Sequence, residues 1–473
     1  MMEIPCGMQE QFLEAKQLIE SSKDIKIYTH TDCDGICSGA ILSIILDRLN
    51  KDYEIEFVNL DEIENLDLDH KLTIFSDLGS GQGVDKNAKD GQKILILDHH
   101  PPLRDINYKN DKAYTYLEIN PMFYGIDGSY YVCGGGLCYF LAKTFGFKDL
   151  SWIGVLSAIG DMQNNKTGHF EGLNEIIQED AINEGLLKVT KNDLNIYGRS
   201  TRPLYVALSY FSDVKLPITN NQQEAKVVLE ELGVDEKHNR KTLSEVTEED
   251  KMEIKKFLSR MISKRVPPKY LKYVPKLIVG DAYTFLNEEE GSFLRDGSEF
   301  STAMNACGRN RKEAIGVDII KGDRLVALDA LEEVSKTHKY NLATSISKVA
   351  DNYHSEIIEL DNFQYFDCSD FDEDIASNII GTITGMVLGY CNWKKPILGF
   401  SKPKNNQIKV SLRCSKLLAY DGIHFGNMMR EIAKEVGGTG GGHAIACGAY
   451  IPNEKKSEFL DKFNRKLQGK IAN

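Results

Sequence analysis

The amino-acid sequence predicts an α/β protein with an N-terminal doubly wound, mostly parallel sheet, a helical insertion and a smaller C-terminal α/β domain. In the first hundred residues, short apolar strand patterns alternate with helical ones, an order typical of parallel sheets. From about residue 190 to 350 the patterns are mainly helical, and strand patterns return after about residue 351. A chain of 473 residues exceeds one ordinary core, so we expect domains at 1–190, 191–350 and 351–473.

The elements of the first domain follow one another closely. A helix is predicted over residues 8–22, because Phe12, Ala15, Leu18 and Ile19 recur at the spacing of one helix face. A second helix is predicted over 40–46, and strands over 25–29, 55–58, 72–75 and 93–97. The last of these strands is short and rich in Ile and Leu, which is typical of a strand buried on both faces.

Acidic and histidine side chains follow these strands where each strand ends. The groups, in chain order, are Asp32 and Asp34, then Asp77, then Asp98-His99-His100 before the chain-breaking Pro101-Pro102. Asp161 follows the apolar run 152–160, which we take as one more strand end. Ligands of such sheets bind outside the carboxyl ends of the strands. A lone acid there caps a helix or a turn, whereas four convergent arrivals indicate a metal site.

The donor atoms of this site select the metal. The set is rich in carboxylates, has one or two imidazoles and has no obvious thiolate, which favours Mn²⁺ or Mg²⁺ over Zn²⁺ or Fe²⁺. There are enough carboxylates for two ions, with Asp77 placed to bridge them. Two ions about 3.5–4 Å apart suit the hydrolysis of phosphoesters.

Composition and charge exclude several classes of protein. The content of 42% hydrophobic and 27% charged residues is that of a soluble globular protein, and no apolar run reaches the roughly 18 residues of a membrane span. The N-terminus lacks a signal-peptide pattern, so we expect a cytoplasmic protein without membrane partners. The ten cysteines are expected to be small buried thiols, with a zinc knuckle at Cys33 and Cys37 as the alternative. A net charge of −13 argues against a generally basic nucleic-acid coat but leaves room for a local basic groove.

The polar groups at the strand ends resemble the four motifs of the DHH phosphoesterase superfamily over about residues 20–165. The matching segments are His30-x-Asp32-x-Asp34-Gly35, Ser76-Asp77, Asp98-His99-His100 and Gly160-Asp161. The resemblance implies five metal ligands: Asp32, Asp34, Asp77, His99 and Asp161. It also implies that His100 contacts the scissile phosphate, that Asp98 orients a neighbouring imidazole, and that His30 belongs to the catalytic group. The alternative for His30 is a strand-end histidine that hydrogen-bonds the loop.

Gly134-Gly135-Gly136 resembles the small-residue helix start that this superfamily places near its metals. Such entries bind phosphate in other folds, but we expect close packing against the sheet here. In the middle region, helices are predicted over 178–194, 221–234 and 245–264. Basic side chains crowd residues 251–276, and Lys256, Arg260 and Lys264 share one helix face. Two interpretations remain open for this segment: a solvated helix face, or a stripe that binds a nucleic-acid backbone.

Two later segments extend the resemblance. Asn305-Ala306-Cys307-Gly308-Arg309 resembles a segment of RecJ-type exonucleases, and residues 202–217 look like the archaeal branch. This likeness implies that Asn305 and Arg309 bind substrate, with Arg309 able to grip a phosphate. Strands at 356–360, 397–400 and 408–413 and a helix at 375–388 open the last domain, before the glycine-rich loop 437–449. Its likeness to the DHHA1 domain implies substrate contacts by Ser411, Arg413, Gly441, Gly442 and His443, the alternative for His443 being a structural role.

The resemblance as a whole implies an archaeal RecJ-like exonuclease with two divalent cations, Mn²⁺ favoured and Mg²⁺ acceptable. Its substrate would be single-stranded DNA or RNA, threaded between two lobes and shortened from one end in DNA replication, repair or RNA processing. One alternative is a phosphodiesterase for short oligoribonucleotides or cyclic dinucleotides. A second alternative is a replisome scaffold, and the family also implies association with the GINS complex.

Overall fold

The computed structural model describes residues 2–471 except 61, 64–65, 110–112, 235–240, 352–353 and 370–372, and it describes no side chains for 373–377. The chain divides into two compact units that are each built from two segments. The first unit comprises Met1–Asn192 and Asp281–Ser335, and the second comprises Asp193–Gly280 and Lys336–Asn473. The division at residues 190 and 350 stays a prediction. None of the described helices combines the length and the apolar character that crossing a membrane requires.

The sheet of the first unit has five strands in the order β2-β1-β3-β4-β5, all parallel. The strands are β1 (Ile25–His30), β2 (Tyr53–Val58), β3 (Leu72–Ser76), β4 (Lys93–Leu97) and β5 (Thr115–Ile119). The predicted parallel α/β sheet is therefore confirmed, although the sequence did not predict β5. The chain moves from β1 outward to β2 and then returns to the other side of β1 for β3. This topological switch point, between β1 and β3, is where such sheets bind ligands.

The remaining strands form two further sheets. A two-stranded sheet pairs β6 (Leu187–Leu194) with β7 (Val279–Phe285). The second unit contains a six-stranded sheet in the order β12-β13-β11-β10-β9-β8. Its strands are β8 (Ile358–Glu359), β9 (Gln364–Asp367), β10 (Ile397–Phe400), β11 (Gln407–Arg413), β12 (Thr439–Gly442) and β13 (Ala446–Pro452). Neighbours are antiparallel except the parallel pair β9 and β10.

Sixteen α-helices surround these sheets in the part of the chain that the structure describes. Up to residue 278 they are α1 (Cys6–Glu20), α2 (Cys33–Arg48), α3 (Gly134–Thr144), α4 (Ser151–Gly160), α5 (Leu173–Asn183), α6 (Leu204–Ser209), α7 (Gln222–Glu231), α8 (Glu248–Ser263) and α9 (Val274–Ile278). After it they are α10 (Gly297–Arg309), α11 (Glu313–Ile320), α12 (Val326–Val349), α13 (Glu373–Met386), α14 (Lys416–Tyr420), α15 (Phe425–Glu435) and α16 (Lys456–Leu467).

Both faces of the first sheet are covered, as the apolar strand β4 predicts. Leu95 and Leu97 join the large core formed with the helices of the first unit. Ile94 and Ile96 point the other way and pack with Tyr28 and other residues in a smaller core. Alternate side chains of a strand point to opposite faces, so a strand covered on both sides must be apolar throughout. This burial holds β3 and β4 in place, and the polar residues that directly follow these strands are therefore also held in place.

Three sequence predictions were wrong about local structure. Residues 151–160 form helix α4, so Asp161 follows a helix and not a strand. This segment is apolar on all sides because it is buried on all sides, and a short apolar run has no period that separates a strand from a buried helix. The predicted helix 178–194 ends at Asn183, where Gly185 at φ +73° breaks it, and 187–194 is strand β6. The glycine-rich loop is partly a strand, since Thr439–Gly442 forms β12.

Candidate metal centre

The loop between β1 and α2 delivers the first acidic pair. Helix α2 begins at Cys33, seven residues before the predicted start, so Asp34 lies in its first turn. Asp32 is the N-cap, and its carboxylate accepts a hydrogen bond of 3.0 Å from the backbone N–H of Gly35. A Cβ on Gly35 would lie 2.0 Å from the carbonyl oxygen of His30. Only glycine therefore lets the chain turn from strand to helix tightly enough to present both acids.

Asp77 occupies the centre of the site. It follows β3 in a left-handed conformation with φ +58°, which is uncommon for a residue with a side chain. Its carboxylate is 2% exposed and divides between two neighbours. Oδ2 lies 3.5 Å from Nδ1 of His30, and Oδ1 lies 3.2 Å from Nε2 of His99. One oxygen therefore faces each side, which is the arrangement that a bridging carboxylate needs.

His99 is oriented by a backbone carbonyl. Its Nδ1 lies 2.7 Å from the carbonyl oxygen of Gly128, and because a carbonyl only accepts, Nδ1 carries the proton of this hydrogen bond. The other ring nitrogen, Nε2, faces Asp77 and lies 3.6 Å from Oδ2 of Asp34. Metal-binding histidines are commonly fixed in this way, by a hydrogen bond from the nitrogen that does not bind the metal.

Asp34 is held from the opposite side by the start of α3. Its carboxylate accepts hydrogen bonds from the N–H groups of Gly134 at 2.8 Å and Gly135 at 2.7 Å, and from the hydroxyl of Ser157. A Cβ on Gly134 would lie 2.6 Å from Cβ of Asp77, and one on Gly135 would lie 2.1 Å from the Ser157 hydroxyl. The glycines thus pack closely, as predicted, and their N–H groups also bind the Asp34 carboxylate.

Asp161 reaches the same place from the end of α4. Its Oδ2 lies 3.8 Å from the His99 ring and accepts a hydrogen bond of 2.6 Å from the Gln163 amide. The same amide nitrogen donates to the carbonyl of Gly128 at 2.8 Å. Gln163 therefore ties Asp161 to the carbonyl that orients His99.

The donors form three overlapping groups in the described residues, each with ligand atoms within 4.8 Å of one another. One group is His30, Asp32 and Asp77, and another is Asp34, His99 and Asp161. The third is Asp77, Asp98, His99 and His100, which shares Asp77 and His99 with the other two. Because Asp77 directs its second oxygen at His99, it connects the groups. The arrangement has the number of donors and the shared carboxylate expected for two neighbouring divalent cations.

Three buried atoms of this site lie near carboxylates but make no hydrogen bond of good geometry with a described residue: Nδ1 of His30, Oδ2 of Asp77 and Nε2 of His99. Burial and the charges of Asp34 and Asp32 raise the pKa of Asp77 well above its ordinary value, and burial and Asp161 raise the pKa of Asp34. Burial lowers the pKa of His99, but the surrounding carboxylates outweigh burial and raise it. Potential metal-ligand atoms that lack a hydrogen bond and lie among several carboxylates fit a bound cation.

Asp98 and His100 form a separate pair at the rim. Nδ1 of His100 lies 2.8 Å from Oδ1 of Asp98, and 46% of the His100 side chain is exposed. Asp98 is buried and accepts from the backbone N–H groups of Ser80, His99 and His100. Burial raises the pKa of Asp98, but His100 outweighs burial and holds the pKa below its ordinary value. An anionic Asp98 therefore fixes the His100 ring while leaving its other side open to solvent.

Asn305 and Gly308 contact the loop that carries the first acids. The side-chain oxygen of Asn305 accepts a hydrogen bond of 3.1 Å from the backbone N–H of Cys33. A Cβ on Gly308 would lie 1.7 Å from the carbonyl oxygen of Thr31, so α10 packs on this loop with no space for a side chain. Arg309, the next residue, is half-buried. The structure brings this segment to the metal centre, where Asn305 supports the ligand loop.

The other predicted substrate residues lie in the second unit. Ser411 and Arg413 are on β11, Gly441 and Gly442 are on β12 at the edge of its sheet, and His443 follows β12. No described carboxylate forms an ion pair with Arg413, and burial lowers the pKa of its guanidinium. A Cβ on Gly381 would lie 2.9 Å from that guanidinium, so the glycine makes room for it.

Four supporting residues were missed from the sequence: Gly128, Ser157, Gln163 and Asn174. The Asn174 amide donates to Gln163 at 2.8 Å and completes a buried chain of hydrogen bonds behind Asp161. The only sequence signal for these residues was the position of Gln163, a polar residue two places after the predicted ligand Asp161. The predicted buried thiols are confirmed: the ten cysteines are free, Cys33 and Cys37 among the buried ones, and only Cys6 is exposed.

Three family models match the chain: the N-terminal domain of the DHH family over residues 24–155, the DHH-CID domain over 196–274 and the DHHA1 domain over 361–469. An uncharacterised protein of Methanocaldococcus jannaschii is 30% identical over 471 residues, covering 96% of this chain and 98% of that protein. A second uncharacterised protein of the same organism is 30% identical over 190 residues, which are 39% of this chain and 54% of that protein.

Two solved structures share the fold. CDC45 from Entamoeba histolytica aligns with a TM-score of 0.61 at 15% identity, over 98% of this chain and 99% of that one. RecJ from Thermus thermophilus in complex with Mn²⁺ aligns with a TM-score of 0.55 at 13% identity, over 99% of this chain and 55% of that one. The chain thus spans about half the length of that RecJ.

Proposed function

We propose, from the premise that the chain belongs to the DHH family and carries DHH, DHH-CID and DHHA1 domains, that it is a metal-dependent exonuclease for single-stranded nucleic acid. Family and metal centre support the coarser function, a metal-dependent phosphoesterase. The observation that carries the proposal is the set of three buried atoms without a hydrogen bond on His30, Asp77 and His99, which lie among carboxylates and are placed to bind a cation.

The ligands of the two ions follow from two of the three donor groups. His30, Asp32 and Asp77 would hold one ion, and Asp34, His99 and Asp161, with the second oxygen of Asp77, would hold the other. Mn²⁺ suits the mixture of carboxylates and imidazoles, and Mg²⁺ is the alternative. Bound ions supply Lewis acidity to a phosphodiester and lower the pKa of water.

The protein itself contributes orientation and proton handling. His100 faces solvent on the side where a phosphate approaches the ligands, and Asp98 fixes its ring through Nδ1. Nε2 of His100 then donates to a non-bridging phosphoryl oxygen or to the leaving oxygen. Because the buried Asp98 holds Nδ1, Nε2 is the ring nitrogen left to act on the phosphate.

The second unit supplies the reason to propose a nucleic-acid substrate. Arg413 is a half-buried guanidinium without an ion pair among the described carboxylates, and such a group binds an anion such as a phosphate. Ser411 precedes it on the same strand, and Gly441 and Gly442 lie on the edge strand β12 of the same sheet. We propose that these groups, with His443, bind the backbone of the strand, and that Arg309 of the first unit makes a phosphate contact of its own.

The test uses 5′- and 3′-end-labelled single-stranded DNA and RNA of several lengths, with Mn²⁺ or Mg²⁺. Stepwise shortening from one end is expected for the protein and is expected to disappear in Asp77→Asn. The matched control is Asp149→Asn, which removes a carboxylate from an exposed ion pair with Arg48. Undiminished hydrolysis by Asp77→Asn would overturn the metal centre as proposed.

Substrate length separates the proposal from its nearest alternative. Hydrolysis confined to dinucleotides, short oligoribonucleotides or cyclic dinucleotides would identify a phosphodiesterase for small substrates with the same metal centre. Stepwise products from long strands would exclude it.

The likeness to CDC45 over almost the whole of both chains favours a second candidate, a replisome scaffold that acts with components such as GINS. A protein that binds Mn²⁺ and hydrolyses none of these substrates, but associates with GINS in solution, would support the scaffold. Hydrolysis together with GINS binding would show both roles.

A further inference from the structure

The segment 251–276, which begins within α8 after the acidic first turn Glu248-Glu249-Asp250 and runs into α9, carries a charge opposite to that of the rest of the chain. Residues 251–276 contain nine basic side chains and one acidic one, whereas the whole chain has a net charge of −13. Lys251 is an exception within this segment, because it is buried and paired with Asp193 and Glu248. The other basic side chains are candidates for contact with a partner.

The helix separates its apolar and basic residues onto opposite faces. Ile254, Leu258 and Ile262 are fully buried in the core of the second unit. Arg260 and Lys264 are exposed, and each is offset by two residues from a buried position, which is about 200° around the helix. The basic face therefore points to solvent while the apolar face anchors it.

A groove runs between α8 and the segment that contains α9. Its α8 side is formed by Lys255, Lys256, Ser259, Arg260 and Ser263, and its other side by Pro275, Ile278 and Val279. Basic groups and serine hydroxyls thus line one wall over an apolar floor. Lys256 is paired with Glu253 at 2.7 Å, but this pair is exposed and weak.

Two further exposed lysines, Lys272 and Lys276, lie on either side of Pro275 in the chain, in the segment that forms the other side of the groove. The ammonium of Lys272 lies 4.8 Å from the ring centre of Tyr273, and that of Lys276 lies 5.6 Å from the ring centre of Tyr420. The two tyrosine rings contact each other with their centres 5.4 Å apart. Contact with an aromatic face positions an ammonium without neutralising it, so both lysines keep their full charge for a partner.

Five exposed basic side chains of residues 251–276 form no ion pair with a described carboxylate: Arg260, which lines the groove, and Lys264, Arg265, Lys272 and Lys276. We propose that the groove together with these side chains, named the basic groove, binds the phosphate backbone of single-stranded nucleic acid as a contact additional to the metal centre. Residues four apart on α8 repeat about every 6 Å along the helix, which suits the regular charges of an extended strand. Choosing nucleic acid as the polyanion rests on the proposed function.

The experiment measures binding without hydrolysis. Anisotropy of a labelled oligothymidylate of about 20 nucleotides is recorded in EDTA between about 0.05 and 0.3 M salt. Arg260→Gln/Lys264→Gln is compared with the parent and with Arg260→Lys/Lys264→Arg, which keeps both charges. The matched control is Lys23→Gln/Lys71→Gln, which removes two exposed lysines before β1 and β3, at the sheet edge remote from the metal ligands.

Loss of two phosphate contacts is expected to make the log–log salt slope less steep by about 1.4 and to raise Kd at 0.1 M salt roughly 25-fold. The charge-keeping variant and the control should bind as the parent does. An unchanged Kd and slope in Arg260→Gln/Lys264→Gln, with unchanged thermal unfolding, would refute the inference. Displacement of the oligonucleotide by polyglutamate at equal charge concentration would also refute it, in favour of an acidic protein partner.

Binding at the basic groove and hydrolysis at the metal centre can be refuted independently of each other. If the protein binds long strands through the groove but hydrolyses none, the proposed function is refuted and the binding inference stands. If the protein shortens strands, and the Arg260→Gln/Lys264→Gln variant binds them as tightly as the parent, the proposed function stands and the binding inference is refuted.

Discussion

Replacing Gln163 by alanine tests how the metal ligands are positioned. The side chain is 2% exposed and makes three hydrogen bonds. Its amide nitrogen donates to Gly128 at 2.8 Å and to Asp161 at 2.6 Å, and its oxygen accepts from Asn174 at 2.8 Å. Truncation removes the donor that aims Asp161 and one of the two donors to the carbonyl that orients His99.

The expected effects on stability and on metal binding are separable. The partly buried Asp161 carboxylate and the buried Asn174 amide each lose a partner at about 1–3 kcal/mol, so we expect the free energy of unfolding to fall by about 2–6 kcal/mol. Loss of a residue that orients metal ligands weakens metal binding about 10–100-fold, or about 1.4–2.7 kcal/mol. Calorimetric titration with Mn²⁺ measures the second effect, and urea denaturation without metal measures the first.

The control is Gln92→Ala in the same unit. Gln92 is also buried, and its amide donates to the carbonyls of Leu68 and His70, at the start of β3 and away from the ligands. Gln92→Ala should lower the free energy of unfolding about as much as Gln163→Ala does and leave the Kd for Mn²⁺ unchanged. If Gln163→Ala bound Mn²⁺ as tightly as the parent, the argument that Gln163 positions Asp161 and His99 would be refuted.

Three further predictions concern other contacts. Gly308→Ala places a Cβ 1.7 Å from the carbonyl of Thr31, so it should cost about 1–3 kcal/mol of stability and weaken Mn²⁺ binding, both measured by thermal unfolding with and without metal. Asp98→Asn removes the anion beside His100 and should lower kcat by about 100-fold or more, with a changed pH–rate profile and little change in Mn²⁺ affinity. The buried Asp193 has a pKa held below its ordinary value, because its basic partners outweigh burial. The stability that ionised Asp193 contributes is therefore fully present above about pH 4 and is lost as the pH falls through the folded pKa. Asp193→Asn should lower the free energy of unfolding by about 3–5 kcal/mol at pH 7. In urea denaturation, the stability of this variant should also fall less steeply at acidic pH than that of the parent.

Much of the metal centre was predictable because the ends of strands can be recognised from the sequence alone. A parallel sheet brings the carboxyl ends of its strands to one edge, so an apolar run followed by acids or histidines locates each ligand before any contact is known. Asp32, Asp77 and His99 follow from this rule. Asp161 was placed correctly for a wrong reason, since the run before it is a helix.

The sequence alone thus determined the parallel sheet, the ligand types and the segment order, because these depend on local periodicity and on residues close in the chain. Only the tertiary structure decided which atoms meet. The Gly128 carbonyl orients His99 from 29 residues away, and Asn305 supports Cys33 from 272 residues away. No spacing pattern encodes such pairs, because they arise only where separate elements pack. The same packing divides the two oxygens of Asp77 between His30 and His99 and makes one acidic edge into a centre for two cations.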